Sequence, residues 1–295
     1  MAQRKPLVMK QGVISEMSSG DEMPDGAGFA LVHGPAEAIE ILLKDEYRFA
    51  QSLQRPGVMD LMDLWRDSMR GLRDGLNNPM VLGRLLNSPL TTRLLNSANA
   101  IQTLMQMPHA WRAAAQSRSF VRALAQSDTA LAQLRSADES VRSEFFSRAP
   151  LITSPKMTGP STPSGKVSAS STAPSSKNPP AAYFAWYAMD GNANTQWMSA
   201  SAVGDHWLEY EFVQPLAVLL FEIEHGGNPA GKVKAQAMSG GAWVDASDWV
   251  DAPQQSGVAY TICCNAVGLC QRWRLWMEPT GRQIGVRQMT LKGVS

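Results

Sequence analysis

A ten-residue recurrence in the first half of this chain limits what that half can fold into. Between residues 78 and 136 a small polar residue returns every nine or ten positions, followed by a capping or turn residue and then an apolar pair. The recurring polar residues are Asn78, Asn87, Asn96, Gln106, Gln116, Gln126 and Ser136. Ten residues at about 100° each fall about 80° short of three full turns. One straight helix therefore cannot hold all of the apolar pairs on a single buried face.

Helix breaks at the polar residues resolve this conflict. Pro108 is placed as a first-turn proline, and Ser136 with Glu139 has the spacing of a capping box. We predict that residues 36–149 form a stack of two-turn helices, which bury their apolar faces against one another or against the same segment of another subunit. An ordinary bundle of longer helices with coincidental spacing is the alternative.

Charge and hydropathy argue against two classes of partner. The chain has 27 basic and 26 acidic side chains, a balance unlike that of proteins held to nucleic acid by phosphate neutralisation. Arginines recur in the helical region, at Arg84, Arg93, Arg112, Arg122, Arg135 and Arg142. Ala, Leu and Ser rather than stacking aromatics lie between them, so we interpret the arginines as a solvated face.

No apolar run approaches the roughly 20 residues of a membrane span, and the N-terminus lacks the apolar segment of a signal peptide. We expect a soluble protein without a nucleic-acid partner.

Residues 150–180 differ in composition from the segments on either side. Ser, Thr, Pro, Gly and Lys dominate this stretch, and its few apolar residues do not offset the entropy lost on ordering. Prolines scattered among serines favour an extended chain. We predict a linker here, which separates the helical region from a C-terminal domain at 181–295.

The C-terminal segment has the alternating pattern of half-buried strands. Leu219, Phe221 and Ile223 alternate with Glu222 and Glu224, and turns rich in Gly, Asn, Asp and Pro separate such runs. Short strands at regular spacing are typical of an antiparallel sandwich. The predicted fold class is multidomain α + β: a short-helix repeat region followed by an antiparallel, jelly-roll-like β-sandwich.

The stretch from Asp190 to Phe212 combines a polar turn with a strand signal. It reads DGNANTQW, a short spacer, and then GDHWLEYEF. This string resembles the signature of discoidin, or coagulation-factor type C, domains, which belong with the galactose-binding-like β-sandwiches. The matching residues are Asp190, Gly191, Asn192, Thr195, Trp197, Trp207, Leu208 and Glu209. The resemblance covers about residues 181–295 and implies a binding module.

The resemblance also implies a structural calcium ion, held by Asp190, Asn192, Thr195 and an acid near the C-terminus. Gln288 stands where that acid is expected. Calcium takes six to eight oxygen ligands, so the turn alone is insufficient. Hydrogen bonding within the turn is the simpler interpretation, and no other cofactor is expected.

Seven tryptophans lie in the C-terminal domain, and most are expected in its core. Those in polar loops are different, because sugar sites pair an aromatic platform with a few orienting polar groups. On this reasoning the candidate ligand-binding residues are Trp186, Trp249, His206 and Asp205. Packing remains the alternative for each of them.

The sequence does not favour catalysis. None of the four histidines belongs to a nucleophile elbow, a zinc-binding helix or a phosphate loop. Glu209 and Glu211 share one strand face and could be considered as a glycosidase pair, but such acids are usually solvated. We predict that the protein is not an enzyme.

The N-terminal residues predict a hairpin arm within 1–35. This segment resembles a short element of tailed-phage virion proteins that attaches an appendage to the particle. The matching residues are Lys5, Pro6, Leu7, Val8, Gly12, Val13, Ile14, Ser19, Gly20 and Asp21. The resemblance implies a virion location after assembly in the host cytoplasm and contacts with other virion proteins, and a frayed terminus is the alternative interpretation of this segment. In such a virion protein we expect the repeated helices to form a homo-oligomer and the sandwich to bind a host-surface glycan or a neighbouring virion protein. The alternatives are a non-viral carbohydrate-binding protein with a helical interaction module, and a sandwich that is a structural clasp without a ligand.

Overall fold

The computed structural model describes residues 7–10, 13–16, 69–88, 90–174 and 183–295. The chain divides into two compact units, Met1–Ala149 and Pro150–Ser295. The first contains short helices and the second an antiparallel β-sandwich, which confirms the predicted fold class. Among the described residues, no helix is both long and apolar enough to span a membrane.

The predicted N-terminal hairpin is present. Strand β1 (Leu7–Lys10) pairs antiparallel with β2 (Val13–Glu16), with Lys10 opposite Val13. The rest of the predicted arm, and residues 36–68 of the predicted helical region, lie outside the described residues.

The helical unit consists of short helices, as the ten-residue spacing predicts. Within residues 69–148 they are α1 (Met69–Asn77), α2 (Pro79–Leu86), α3 (Leu90–Leu95), α4 (Ala98–Met105), α5 (Pro108–Gln116), α6 (Arg118–Leu124), α7 (Asp128–Ser136) and α8 (Glu139–Arg148). The longest of these has ten residues, so the alternative of a bundle of longer helices is wrong for this part of the chain. Pro108 begins α5 as predicted. The predicted capping box is wrong: the Ser136 hydroxyl donates to the Gln133 carbonyl at the end of α7, and Asp138 occupies the N-cap position of α8.

Each helix packs against the third helix along the chain. The pairs are α1–α4, α2–α5, α3–α6, α4–α7 and α5–α8, in addition to contacts between neighbours such as α4–α5. Hydrogen bonds accordingly join residues about one superhelical turn apart, as when the Trp111 indole donates to the Val141 carbonyl at 3.1 Å, 30 residues away. Three helices therefore make one turn of a solenoid, whose stability comes from contacts between successive turns.

Serine side chains tie successive turns of the solenoid together. The Ser127 hydroxyl accepts from the Ala130 N–H at 3.2 Å, as the N-cap of α7, and donates to the Leu95 carbonyl at 2.9 Å. Ser117 does the same at the start of α6, where its hydroxyl donates to the Leu86 carbonyl at 3.2 Å. Each serine thus satisfies one free donor at a helix start and one free acceptor at a helix end.

The sandwich is built from ten strands and one 3₁₀ helix within the described residues. The strands are β3 (Ile152–Thr153), β4 (Lys166–Ala169), β5 (Trp197–Met198), β6 (His206–His225), β7 (Lys232–Ser239), β8 (Ala242–Asp245), β9 (Val250–Asp251), β10 (Ala259–Cys263), β11 (Cys270–Met277) and β12 (Gly285–Val294). The 3₁₀ helix spans Ala185–Met189. All of the strand pairs are antiparallel.

The long strand β6 belongs to both sheets. Its second half pairs with β10 and β12 in sheet 1, which β3 and β5 extend. Its first half pairs with β4 and β11 in sheet 2, which continues to β7 and then to β8 and β9. The ladder with β11 is irregular between Cys270 and Arg272, close to Pro215, which has no N–H to donate. This irregularity lets β6 change partners.

Large apolar side chains from both sheets meet in one core. Trp197 and Trp273 are fully buried in it, together with Tyr210 and Phe221. The alternation of Leu208, Tyr210 and Phe212 with glutamates places these three side chains on the core side, as predicted.

The interpretation of residues 150–180 as a linker is corrected by the structure. Thr153 pairs with Lys292, and Val167 of β4 pairs with Tyr210. Met157 and Val167 lie in the core, 1% and 4% exposed. Composition predicted too little apolar burial here, because the stabilising partners are strands more than 40 residues away, which a local count does not include. Residues 175–180 of the predicted linker lie outside the described residues.

Candidate functional site

The outward side of sheet 2 presents a row of tryptophans. Trp207 on β6 lies opposite Trp276 on β11, and Trp276 lies opposite Lys234 on β7. Trp249 directly precedes Val250, which pairs with Val233, so Trp249 lies beside Lys234. The Lys234 ammonium is 4.8 Å from the centroid of the Trp249 ring. Because alternate residues of a strand point to opposite faces, these side chains all lie away from the core.

A second row lies directly beside the first. It runs from Glu209 through Arg274 and Gln236 to Asp245. Trp243, two residues before Asp245, lies on the same outward side. We call this surface, formed by Trp207, Trp243, Trp249, Trp276 and the polar residues between them, the tryptophan face.

Arg274 is at the centre of the tryptophan face. Its guanidinium carbon is 4.0 Å from the centroid of the Trp243 ring and 4.2 Å from that of the Trp276 ring. Its Nε donates to the Gln236 Oε1 at 2.7 Å, and the residue is only 9% exposed. Burial lowers the pKa of this guanidinium, while the charge of Glu209 opposes the shift. An arginine held between two indoles restrains both rings through cation–π contacts.

The other charges of the face are paired with one another. Arg272 donates through Nε and Nη2 to the two carboxylate oxygens of Glu209, at 2.6 and 3.1 Å. Asp245 accepts from Lys234 at 2.9 Å and from Gln236 at 2.6 Å. Burial alone would raise the pKa of Asp245, but these hydrogen bonds lower it below its ordinary value. Two of the three cations on this part of the sheet, Arg272 and Lys234, are thus held in ion pairs, and Arg274 is bonded to the neutral Gln236.

The tryptophan face is open to solvent in part. Trp249 is 39% exposed, the Arg272 side chain is 42% exposed, and the rings of Trp207, Trp243 and Trp276 are half-buried. The outward side of sheet 1 differs, since it carries the surface ion pairs Glu222–Lys292 and Glu224–Arg287. Such pairs are ordinary solvated features. The aromatic surface therefore belongs to one side of the sandwich.

The structure separates the four residues predicted to bind a ligand. Trp249 lies on the tryptophan face, and Asp205 is exposed just before β6. Trp186 lies in the 3₁₀ helix beside β4, β5 and β12, at the opposite edge of sheet 2 from Trp249. There it packs against the core and contacts Phe184, with ring centroids 6.2 Å apart and planes 11° apart.

His206 is on the core side of β6 and only 3% exposed. Neither of its ring nitrogens has a hydrogen-bond partner among the described residues. Burial lowers the pKa of His206, and the charge of Asp205 opposes this shift. Its ring is therefore not placed to contact a ligand at the surface.

The turn from Asp190 to Thr195 is closed by its own hydrogen bonds. The Asp190 carboxylate accepts from the Asn192 N–H at 2.8 Å and from the Thr195 hydroxyl at 2.7 Å. Asn192 Oδ1 accepts from the Asn194 N–H at 3.0 Å. Gly191 has a φ of 72°, and a Cβ there would approach the Lys156 side chain to 2.8 Å. The positive φ favours glycine here, whereas the end of the flexible Lys156 side chain can shift.

These contacts support hydrogen bonding as the role of the turn more than metal binding. Asp190 supplies one carboxylate whose two oxygens are both engaged, whereas calcium takes several oxygen ligands. No group of three His, Cys, Asp or Glu side chains suited to a metal is found among the described residues. Gln288 is half-buried, and its Nε2 has no hydrogen-bond partner in the described part of the chain. Calcium at Asp190, Asn192 and Thr195 stays a prediction, which thermal unfolding with added calcium or chelator tests.

A glycosidase mechanism needs two carboxyl groups that flank the bond to be cleaved, and Glu209 and Glu211 do not have such surroundings. Glu209 is 4% exposed and held by Arg272 at both oxygens, while Glu211 lies opposite Arg272 on the outward side. That the protein is not an enzyme remains an expectation from the sequence.

Sequence reasoning missed most of the tryptophan face because it assigned tryptophans to the core by residue type. The strand 272–277 carried the necessary signal. Trp273, Leu275 and Met277 alternate with Arg272, Arg274 and Trp276, so Trp276 belongs to the face of the arginines. Trp207 likewise shares the face of Glu209.

Comparison with known proteins finds similarity at the level of structure. No family model and no curated protein matches this chain. It is similar to chitosan-binding module 1 of a Paenibacillus sp. IK-5 chitosanase/glucanase, with 18% identity over 44% of this chain and 95% of that one, at a TM-score of 0.35. It is also similar to the family 32 CBM from C. perfringens NanJ in complex with galactose, with 16% identity, 48% and 99% coverage and a TM-score of 0.37. A third similar structure, an F5/8 type C domain from Bacteroides fragilis, has 15% identity, 44% and 92% coverage and a TM-score of 0.36. The third carries the name of the domain type that the C-terminal motif resembles.

Proposed function

We propose that the C-terminal sandwich binds a glycan on its tryptophan face. The observation that carries this proposal is the set of four tryptophans on the outward side of sheet 2, two of which hold Arg274 between them. A sugar ring has an apolar C–H face that stacks on an indole and a rim of hydroxyls that need hydrogen-bond partners. Rings restrained before binding lose little conformational entropy when the ligand arrives.

Polar groups around the rings supply the hydrogen bonds for such a ligand. The Arg272 side chain is 42% exposed while two of its nitrogens hold Glu209, so its remaining N–H groups are directed to solvent. Glu211, opposite Arg272, adds an acceptor on the same side. The face thus combines aromatic platforms with a donor and an acceptor beside them.

Alanine variants test this proposal on a glycan array and by calorimetry with the best array hit. We expect Trp249→Ala to weaken binding about tenfold or more, the loss typical of an aromatic anchor. Trp186→Ala, which alters a tryptophan off the face, is the matched control and should bind like the unchanged protein. Loss of binding in Trp186→Ala with retention in Trp249→Ala would contradict the proposed site and indicate a site near Trp186. If the unchanged protein binds no glycan, the structural-clasp alternative is supported instead.

We propose in addition that the protein is a structural component of a tailed-phage virion, in a tail fibre, baseplate or collar. The support is the N-terminal residue pattern together with the hairpin formed by β1 and β2. In this role the arm docks on other virion proteins, and the sandwich faces a host-surface glycan. Purification of particles from an infected culture tests it: the chain should remain with particles through a density gradient. Recovery only in the soluble fraction would favour the non-viral carbohydrate-binding protein.

A further inference from the structure

We infer that the ligand of the tryptophan face is an uncharged glycan chain of several sugar units, which lies across the strands of sheet 2. This inference rests on the proposed glycan binding and specifies its substrate class. It distinguishes chain recognition from capture of a single terminal sugar.

The length of the tryptophan row favours a chain. Trp207, Trp276 and Lys234 occupy the neighbouring strands β6, β11 and β7, and Trp249 directly precedes β9, the next strand beside β7. Three interstrand steps of about 4.8 Å place the end rings about 14 Å apart. One sugar ring covers one indole, so a ligand that contacts both ends of the row must have several rings in succession.

The direction of the row also matters. Its members are joined by strand pairing rather than by position along one strand, so the row is perpendicular to the strands. Residues beside the row on the same strands are polar, as Glu209 and Arg274 are beside Trp207 and Trp276. The row is therefore long across the strands, with Trp243 beside it on the far side of Arg274, and this length suits an extended chain.

Charge pairing favours an uncharged ligand. The two central rows and the adjoining Arg272 carry three cations, Arg272, Arg274 and Lys234, beside the acids Glu209, Glu211 and Asp245. Arg272 is bound to Glu209 and Lys234 to Asp245. Farther out, Lys166 lies opposite Glu211 and Lys232 opposite Asp251. An anionic glycan would have to displace these internal partners, whereas hydroxyl groups can share them.

Arg274 acts on the ligand through the rings and not by contact. It is 9% exposed and lies between Trp243 and Trp276, so a ligand on the surface meets the indoles first. We assign it as a positioning residue that keeps the Trp276 ring in the line of the row. Arg274→Met keeps much of the side-chain volume and removes the cation and its hydrogen bond to Gln236.

Calorimetry with oligosaccharide series of one to six units tests the inference on the full chain. The probes are the uncharged gluco-, galacto- and N-acetylglucosamine series, with polygalacturonate and chitosan oligomers as charged counterparts. In at least one uncharged series we expect affinity to rise about tenfold or more from one to four units and then level off. Affinity should change less than about twofold between about 0.05 and 0.5 M NaCl, because no net charge is neutralised.

Variants at the two ends of the row sharpen the test. Trp207→Ala and Trp249→Ala should each weaken four-unit binding about tenfold while single-sugar binding changes little. Arg274→Met should weaken the four-unit ligand, and Arg274→Lys should restore part of that loss. Phe184→Ala, exposed but off the face, is the control and should match the unchanged protein.

Two results would overturn the inference and leave glycan binding intact. One is a single sugar that binds as tightly as its four-unit chain, and the other is a charged series that binds best and is released by salt. Absence of binding for every probe would overturn the proposed function as well.

Discussion

His225 shows how one residue can make the sandwich sensitive to pH. It is 1% exposed, its Nδ1 is 3.1 Å from the Gly285 carbonyl and its Nε2 is 2.8 Å from the Tyr260 hydroxyl. A neutral ring satisfies both contacts, since Nδ1–H donates to the carbonyl and Nε2 accepts from the hydroxyl. Burial lowers the pKa of His225 from 6.5 to about 4, against the opposing hydrogen bond to Gly285. Burial also raises the pKa of Tyr260, so its hydroxyl keeps its proton.

The stability of the sandwich should therefore fall on acidification. In the unfolded chain His225 is protonated once the pH falls below its ordinary pKa of 6.5. In the folded chain it stays neutral until about pH 4. This contribution is fully present above pH 6.5 and is lost as the pH falls toward 4, a change of about 3 kcal/mol in the free energy of unfolding. Denaturant unfolding at several pH values between 7.5 and 5 measures the slope.

His225→Gln is the matched variant, because its amide can donate to Gly285 but does not titrate. We expect this variant to be less stable at pH 7.5 and to have a flatter profile between pH 6.5 and 5. An equal slope in the two proteins would show that other groups carry the pH dependence.

At the scale of the element, the solenoid depends on the breaks between its helices. Ser127 is 8% exposed, and its hydroxyl caps α7 while donating to Leu95 one superhelical turn earlier. Replacement leaves an unsatisfied donor and an unsatisfied acceptor at a buried junction. The breaks are thus stabilised by serine side chains that hydrogen-bond backbone groups at the helix ends.

Ser127→Ala should lower the free energy of unfolding of the helical unit by about 1–3 kcal/mol. This is the combined cost of losing the N-cap hydrogen bond and of leaving the Leu95 carbonyl without its donor. Circular dichroism at the helical wavelength during urea unfolding measures this change. Ser136→Ala is the control, since the Ser136 hydroxyl is exposed and bonds only within its own helix. We expect it to change stability by less than about 0.5 kcal/mol. Equal effects of the two changes would mean that the contact between turns is unimportant.

At the scale of the whole molecule, the proposed virion role requires several copies. Weak glycan sites become effective when they are presented together, because the second binding event is then intramolecular. We expect sedimentation of the full chain to show a homo-oligomer that persists on dilution. A monomer at micromolar concentration would contradict this expectation and favour the non-viral alternative.

Avidity gives a second test of whether several copies of the chain bind a glycan surface together. The oligomer should bind a glycan-coated surface far more tightly than it binds the free four-unit chain, by about a hundredfold or more. If the two affinities are equal, the copies do not engage the surface together.

Much of the fold follows from local spacing in the sequence. Ten-residue intervals predict short helices because ten residues do not complete three turns. Alternation predicts β6 and β11 because neighbouring side chains in a strand point to opposite faces. The hairpin at Leu7–Glu16 was likewise predicted from a few residues. In each case the deciding interaction lies between residues close together in the chain.

Less of the candidate site could be predicted from local spacing in the sequence. Trp249 was found because it lies in a polar loop, while Trp207 and Trp276 were attributed to packing. Alternation shows which residues of one strand share a face, but it does not show which strands are neighbours. The row exists only because β6, β11, β7 and β9 are adjacent in sheet 2.

The sequence by itself determined the two-part organisation, the helix lengths and the alternating strands, since these depend on the chain's local geometry. Tertiary structure alone decided that three helices make one solenoid turn and that residues 152–169 complete the sandwich. It also decided that four tryptophans from separate parts of the C-terminal unit form one surface. Most of the contacts that build these features join residues 30 or more positions apart, and such contacts depend on how whole elements pack.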